Sequence, residues 1–200
     1  VRGVRTLAAS EVKALAAVPR DATLLRADAR GIRRRVEANP WVESVAVNRE
    51  FPDAIVITVT ERTPVAVVDL GRQSWMVDTA GVWIARRSLS QPTRLPVIRE
   101  LEGASPKAGR KSTSEALLNA LAVLRGLSES LRRQAVTLVA PTIDETALIT
   151  RAGVEVRIGE AIRMREKDYV ARRILSEQKG KVVSVDVRTV ERPVWSGIRK

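Results

Sequence analysis

The chain has no cysteine and no histidine among its 200 residues. That removes thiol nucleophiles, Cys/His zinc sites and every imidazole general base. The missing thiols leave the compartment open, since such a chain suits oxidising and reducing surroundings alike. Aromatic residues make up only 3% of the sequence, so any core is built of Val, Leu, Ile and Ala. The longest run free of charge and strong breakers, residues 116–124, is far short of a bilayer span. The chain starts at Val1 with no signal-peptide pattern, as expected of a fragment or a mature portion. Glycines stand singly, so phosphate loops and dinucleotide fingerprints are absent, and no serine sits at a strand-to-helix elbow.

A net charge of +12 is what remains to be explained. It is the surface of an Arg-rich soluble domain, or a field favouring lipid headgroups or nucleic acid. Single-strand readers interleave basic residues with several aromatics on one surface, and this sequence has six aromatics in all. Carboxylate pairs such as Glu160 with Glu166, or Asp144 with Glu145, fall in turns or on a charged helix face. Water keeps both members ionised there, whereas acid–base catalysis needs one held protonated by burial. No enzyme activity, metal or cofactor is expected, and a basic nucleic-acid-binding module stays as an alternative.

Ser10 is a candidate N-cap with Val12, Leu15 and Ala16 at helical spacing behind it, and Pro19 closes that helix. Asp28 caps a second helix with Ala29, Ile32 and Val36 as its apolar stripe, leaving Arg33, Arg34 and Arg35 to face water. Val45 and Val47, then Ile55, Ile57 and Val59, alternate with polar or small neighbours around Phe51-Pro52-Asp53, the pattern of a hairpin. Residues 63–68 continue extended. The order strand, helix, helix, strand, strand predicts an α+β layer, joined near residues 63–70 without a loose linker. Asp78 and Gly81 supply turn chemistry between two apolar runs, so Asp78 is a turn residue rather than a metal ligand. Beyond a long Pro-containing connection, Ser112, Thr113 or Ser114 caps a helix carrying Leu117, Leu121 and Leu124. Strands follow at 135–140, 146–151 and 154–158, the last two around a two-residue Ala152-Gly153 loop. A basic helix over about 161–178 exposes Lys167, Arg172 and Arg173, and 182–188 is the last clear strand. The tail 189–200 has no helical period.

The ordered set Pro40-Trp41, Phe51-Pro52-Asp53 and Glu61-Arg62-x-Pro64-Val65-Ala66 resembles the POTRA module of the bacterial cell-division proteins FtsQ and DivIB. Met76-Val77-Asp78-x-x-Gly81 and Val185-Asp186-Val187-Arg188 resemble the start and close of that family's β-domain. The resemblance implies a POTRA domain over 1–68, two helices on a three-stranded sheet. A β-rich domain over 69–200 would follow, a curved, mostly antiparallel sheet with flanking helices. It further implies a non-enzymatic divisome scaffold outside the cytoplasmic membrane, single-pass through an upstream helix. Its partners would be FtsB/DivIC-type and FtsL-type proteins and the septal cell-wall synthase. A POTRA-bearing transport component is the other reading, though that class repeats its POTRA units and no repeat is present. The implied docking place is the final edge strand, with Val185, Val187, Arg188, Thr189, Glu191, Val194 and Trp195 as candidates and Trp195 as anchor. Against this stands the reading that Trp195 merely covers the open end of the sheet.

Overall fold

The computed structural model describes residues 1–19, 23–24 and 27–197; residues 198–200 of the tail lie outside that set. The chain divides into Val1–Thr63 with Ala108–Arg110, and Pro64–Lys107 with Lys111–Lys200.

In the first unit, helices α1 (Ala9–Ala16) and α2 (Ala29–Glu37) pack on a hairpin of β1 (Val42–Glu50) and β2 (Ala54–Glu61). Asp28 caps α2 as expected, accepting from the Gly31 N–H at 2.9 Å. Ser10 does not cap α1. The N-cap is Ala8, and Ser10 lies inside the first turn. Arg35 also departs from the solvated row, because its guanidinium donates to the Ala16 carbonyl at 2.6 and 3.1 Å. It thereby satisfies a carbonyl that the end of α1 leaves without an intrahelical donor. Val12, Ile32, Val36, Val45, Ile57 and Val59 form the core, while Phe51 at the hairpin turn is 75% exposed. The third strand is reduced to one parallel bridge between Arg2 and Thr58, made by Arg2 N–H to Ile57 O and Val59 N–H to Arg2 O, both 2.9 Å.

The second unit is a nine-stranded mixed sheet, with most neighbours antiparallel, in the order β11-β10-β9-β8-β7-β6-β3-β4-β5. Its members are β3 (Ala66–Asp69), β4 (Ser74–Val77), β5 (Trp83–Arg86), β6 (Val97–Arg99), β7 (Ala135–Val139), β8 (Ala147–Thr150), β9 (Glu155–Arg157), β10 (Val182–Asp186) and β11 (Val194–Gly197). Helices α3 (Glu115–Gly126), α4 (Glu129–Gln134) and α5 (Met164–Glu177) accompany it. The extended segment after Thr63 builds this sheet: β3 pairs antiparallel with β4 and parallel with β6. The expected boundary at Val68 therefore falls within a strand. The Asp78 turn is as read, its Oδ1 taking the Ala80 and Val82 N–H at 2.9 Å, with Gly81 at φ 80°. Ser114 caps α3. The β8–β9 loop, residues 151–154, holds four residues rather than two; Gly153 N–H bonds Thr150 O and Thr150 N–H bonds Val154 O. Helix α5 begins at Met164, three residues later than expected, behind Arg163 at φ 50°.

Candidate partner-docking site

Strand β10 does not end the sheet. It is flanked by β9, parallel, and by β11, antiparallel, with Val185 opposite Trp195 and Asp186 opposite Val194. The main-chain edge expected to be open at 182–188 is therefore occupied, and the free edge lies one strand further out. Sequence reading missed β11 because its four residues follow Pro193 and show no alternation of apolar and polar types.

The expected site residues separate into two groups. Val185 and Val187 are wholly buried, and Val187 N–H is held by Arg157 O at 2.9 Å. Their side chains pack the core and are withdrawn from any surface role. Arg188, Thr189, Glu191, Val194 and Trp195 are exposed. Directly opposed residues of an antiparallel pair share a face, so Trp195 stands on the side of buried Val185, at the rim of the core. Val194 and Ser196 stand on the other side with Asp186 and Ser184, and the Ser184 and Ser196 hydroxyls are 2.7 Å apart. Trp195 is 44% and Val194 65% exposed, which leaves apolar surface on both faces of the outermost strand. Gly197 completes the strand where a Cβ would lie 2.7 Å from Lys181 O.

Charged groups fix the loop that delivers β11. Arg188 reaches back to Asp186, Nη2 to Oδ2 at 2.7 Å, and its own N–H bonds Oδ1 at 3.0 Å. That guanidinium contact, ahead of the opposing cost of burial, holds the Asp186 carboxyl below its ordinary pKa. Arg163 bridges Glu166 and Glu191, tying the start of α5 to the residues before β11; its hydrogen bonds lower the pKa of both acids. Beside this loop lies a concavity of about 440 Å³ lined by Asp144, Glu160, Lys167, Arg188, Thr189 and Val194 among others.

Lys167 is not one of the solvated charges of α5. It is 3% exposed, and its Nζ donates to Ile158 O and Glu160 O, both at 2.8 Å. Burial pulls its pKa down. Asp168, also buried, takes the Ser128 N–H and hydroxyl and the Arg172 guanidinium. Both charges pin neighbouring loops and serve as structure. Among the described residues no cluster of metal-ligating side chains occurs, and no helix is long and apolar enough to cross a membrane.

Residues 1–62 match the family described as POTRA domain, FtsQ-type. Residues 66–188 match the family described as Cell division protein FtsQ/DivIB, C-terminal. A relative named Cell division protein FtsQ from Myxococcus fulvus is 28% identical across 98% of this chain and 70% of its own length. One of the same name from Anaeromyxobacter sp. (strain K) is 30% identical over 88% of this chain and 61% of its own length. A third, from Geobacter sp. (strain M21), is 34% identical over 62% of the chain and 45% of its length. The chain thus spans between 45% and 70% of the length of these relatives. The match to the C-terminal family model ends at Arg188, before β11.

Proposed function

The chain belongs to the FtsQ/DivIB family of bacterial cell-division proteins, and on that premise we propose that it is a non-enzymatic scaffold of the divisome. In this reading it works on the outer face of the cytoplasmic membrane, tethered through a span upstream. It gathers FtsB/DivIC-type and FtsL-type partners and links them to septal cell-wall synthesis. The observation that carries the reading is β11, a short strand at the edge of the sheet that is paired on one side among the described residues, with Val194 and Trp195 exposed.

A terminal strand leaves alternate N–H and C=O groups without a ladder partner, and an extended segment from another chain can complete them. Main-chain bonds would supply affinity, and Trp195, Val194 and the Arg188–Thr189–Glu191 loop would select the sequence that binds. Pro193 has no N–H to offer and sits just before the strand, where an edge tolerates it. Trp195 has a second duty at the core rim beside Val185, so covering the sheet and anchoring a partner are both within its reach.

The test is binding of the extracellular segment of an FtsB/DivIC-type protein to the wild-type chain, to Trp195→Ala and to a chain truncated after Arg188. Loss of an aromatic anchor is expected to weaken binding by about tenfold or more while circular dichroism is unchanged. Wild-type affinity in both folded variants would place the site elsewhere.

A further inference from the structure

The opposite end of the same sheet carries a second feature, independent of the docking edge. The tight turn 70–73 between β3 and β4 and the segment 87–90 after β5 line an open concavity of about 480 Å³. Its lining includes three arginines, Arg72, Arg86 and Arg87, with the hydroxyl residues Ser88 and Ser90 and the 41%-exposed Leu89. None of the lining residues is acidic. The nearest carboxylate on β3, Asp69, is turned to Arg99 and to the Gly71 N–H.

We propose that this concavity is a binding site for a phosphate oxyanion, of the kind presented by an anionic lipid headgroup. Three observations carry it. Arg86 lies over the Trp75 ring at 5.5 Å, and Trp75 is in turn braced edge-on by Trp83 at 6.3 Å. A guanidinium held beside an aromatic ring keeps N–H donors that can fork onto phosphate, and Arg86 itself is exposed. Arg87 is held by two main-chain links, N–H to Ser74 O and Nη2 to Pro92 O. Its Nε is nonetheless buried without an acceptor among the described residues. The two main-chain links fix Arg87 on the wall of the concavity, so its charge is placed there before any ligand arrives. Arg72 is exposed on the turn, makes no ion pair among the described residues, and adds the third positive charge.

Leu89 favours a lipid as the source of the phosphate. An exposed aliphatic side chain beside guanidinium groups matches the junction of acyl chains and headgroups. Free phosphate would use the three arginines and leave Leu89 idle.

Two titrations on the whole chain separate the sources. In the first, inorganic phosphate is added and amide chemical shifts are followed; the signals of residues 71–74 and 87–90 are expected to move together. In the second, vesicles of phosphatidylglycerol in phosphatidylcholine are used with wild type, Arg72→Gln/Arg86→Gln, Leu89→Ser and a charge-matched control, Arg33→Gln/Arg34→Gln, on exposed α2. Removing two site arginines is expected to weaken vesicle binding by about tenfold or more, Leu89→Ser to weaken it, and the control to leave it within about twofold. Phosphate shifts at the site with vesicle binding untouched by any site variant would assign the site to a free phosphate. Equal losses in the site and control variants, or no response of residues 71–74 and 87–90 to phosphate, overturn the proposal.

Discussion

Replacing Glu61 by Ala removes the carboxylate that gathers the first residues of the chain onto β2. Its oxygens accept from Arg5 N–H at 2.8 Å, Thr6 N–H at 2.9 Å and Leu7 N–H at 3.0 Å. Hydrogen bonds to a charged group are worth about 1.5–3 kcal/mol each when well shielded. Glu61 is half-buried, so water recovers part of that, and a net loss of about 1–2 kcal/mol is expected. The loss is local, because the same segment carries the Arg2 bridge and brings Leu7 to the core. Val59 N–H, bonded to Arg2 O at 2.9 Å, is therefore the reporter. Its hydrogen exchange is expected to quicken by about 5–30-fold in Glu61→Ala. Acid should mimic the substitution. Burial alone would raise the Glu61 pKa, but the N–H groups of Arg5, Leu7 and Thr6 outweigh it and hold the carboxyl below its ordinary 4.5. A depressed carboxyl stabilises fully above the unfolded value, and the contribution fades as pH falls through the folded one. Wild-type protection at Val59 should thus drop toward the variant's as pH falls below 4.5 and on through the lowered folded value. Equal exchange in the two proteins at pH 7, with parallel curves into acid, would refute the reasoning.

Ile57 is 4% exposed in the core of the first unit, and Ile57→Ala should cost that unit about 2–5 kcal/mol, read from the exchange of its most protected amides. An unchanged melting profile combined with lost partner binding would contradict this packing role. Asn119 is buried on α3, and its Nδ2 donates to Thr146 Oγ1, Gly159 O and Ile143 O while Oδ1 takes the Ala161 N–H at 2.8 Å. Asn119→Ala strands several of these groups and should cost about 2–4 kcal/mol of the second unit in urea unfolding; a loss under about 0.5 kcal/mol would show that the 159–161 loop does not depend on it.

Local chemistry explains what the sequence disclosed. Asp28, Ser114 and the Asp78–Gly81 turn are each settled within four residues, by a side chain meeting a nearby N–H or by a backbone angle suited to glycine. The stripes Ile32–Val36 and Leu117–Leu121–Leu124 follow the helical period and are buried as that period requires. What stayed hidden depends on residues far away in the chain. Lys167 looks like a surface cation until Ile158 O and Glu160 O are brought to its ammonium. Asp168 looks like its neighbour's ion-pair partner until Ser128, forty positions earlier, arrives. Helix α4 is six residues long and carries Leu131 as its buried residue, too little for a period to show. The strand over 182–188 was legible in the sequence; the further strand β11, which forms the edge of the sheet, was not.

That distinction changes the physics of docking there. An edge made by residues 182–188 would present Val185 and Val187, both committed to the core, and any added strand would lie against a packed layer. Strand β11 instead offers four residues whose order depends on few contacts: the ladder to β10, the Ser184–Ser196 hydroxyl pair and the Arg163–Glu191 bridge. Ordering a flexible edge at the moment of binding costs about 0.5–1.5 kcal/mol per immobilised side chain. Contacts that hold β11 in register beforehand spare a partner that cost. The same strand is short and begins after a proline, two features that limit pairing between copies of the chain. If β11 is the docking edge, Arg163→Ala should leave the sheet folded and raise amide exchange across 194–197. Partner affinity should then fall because the competent edge is less populated, with Trp195 still in place. Unchanged exchange at 194–197 in that variant would mean the ladder to β10 alone holds the strand, and the bridge to Glu191 has no part in preparing it.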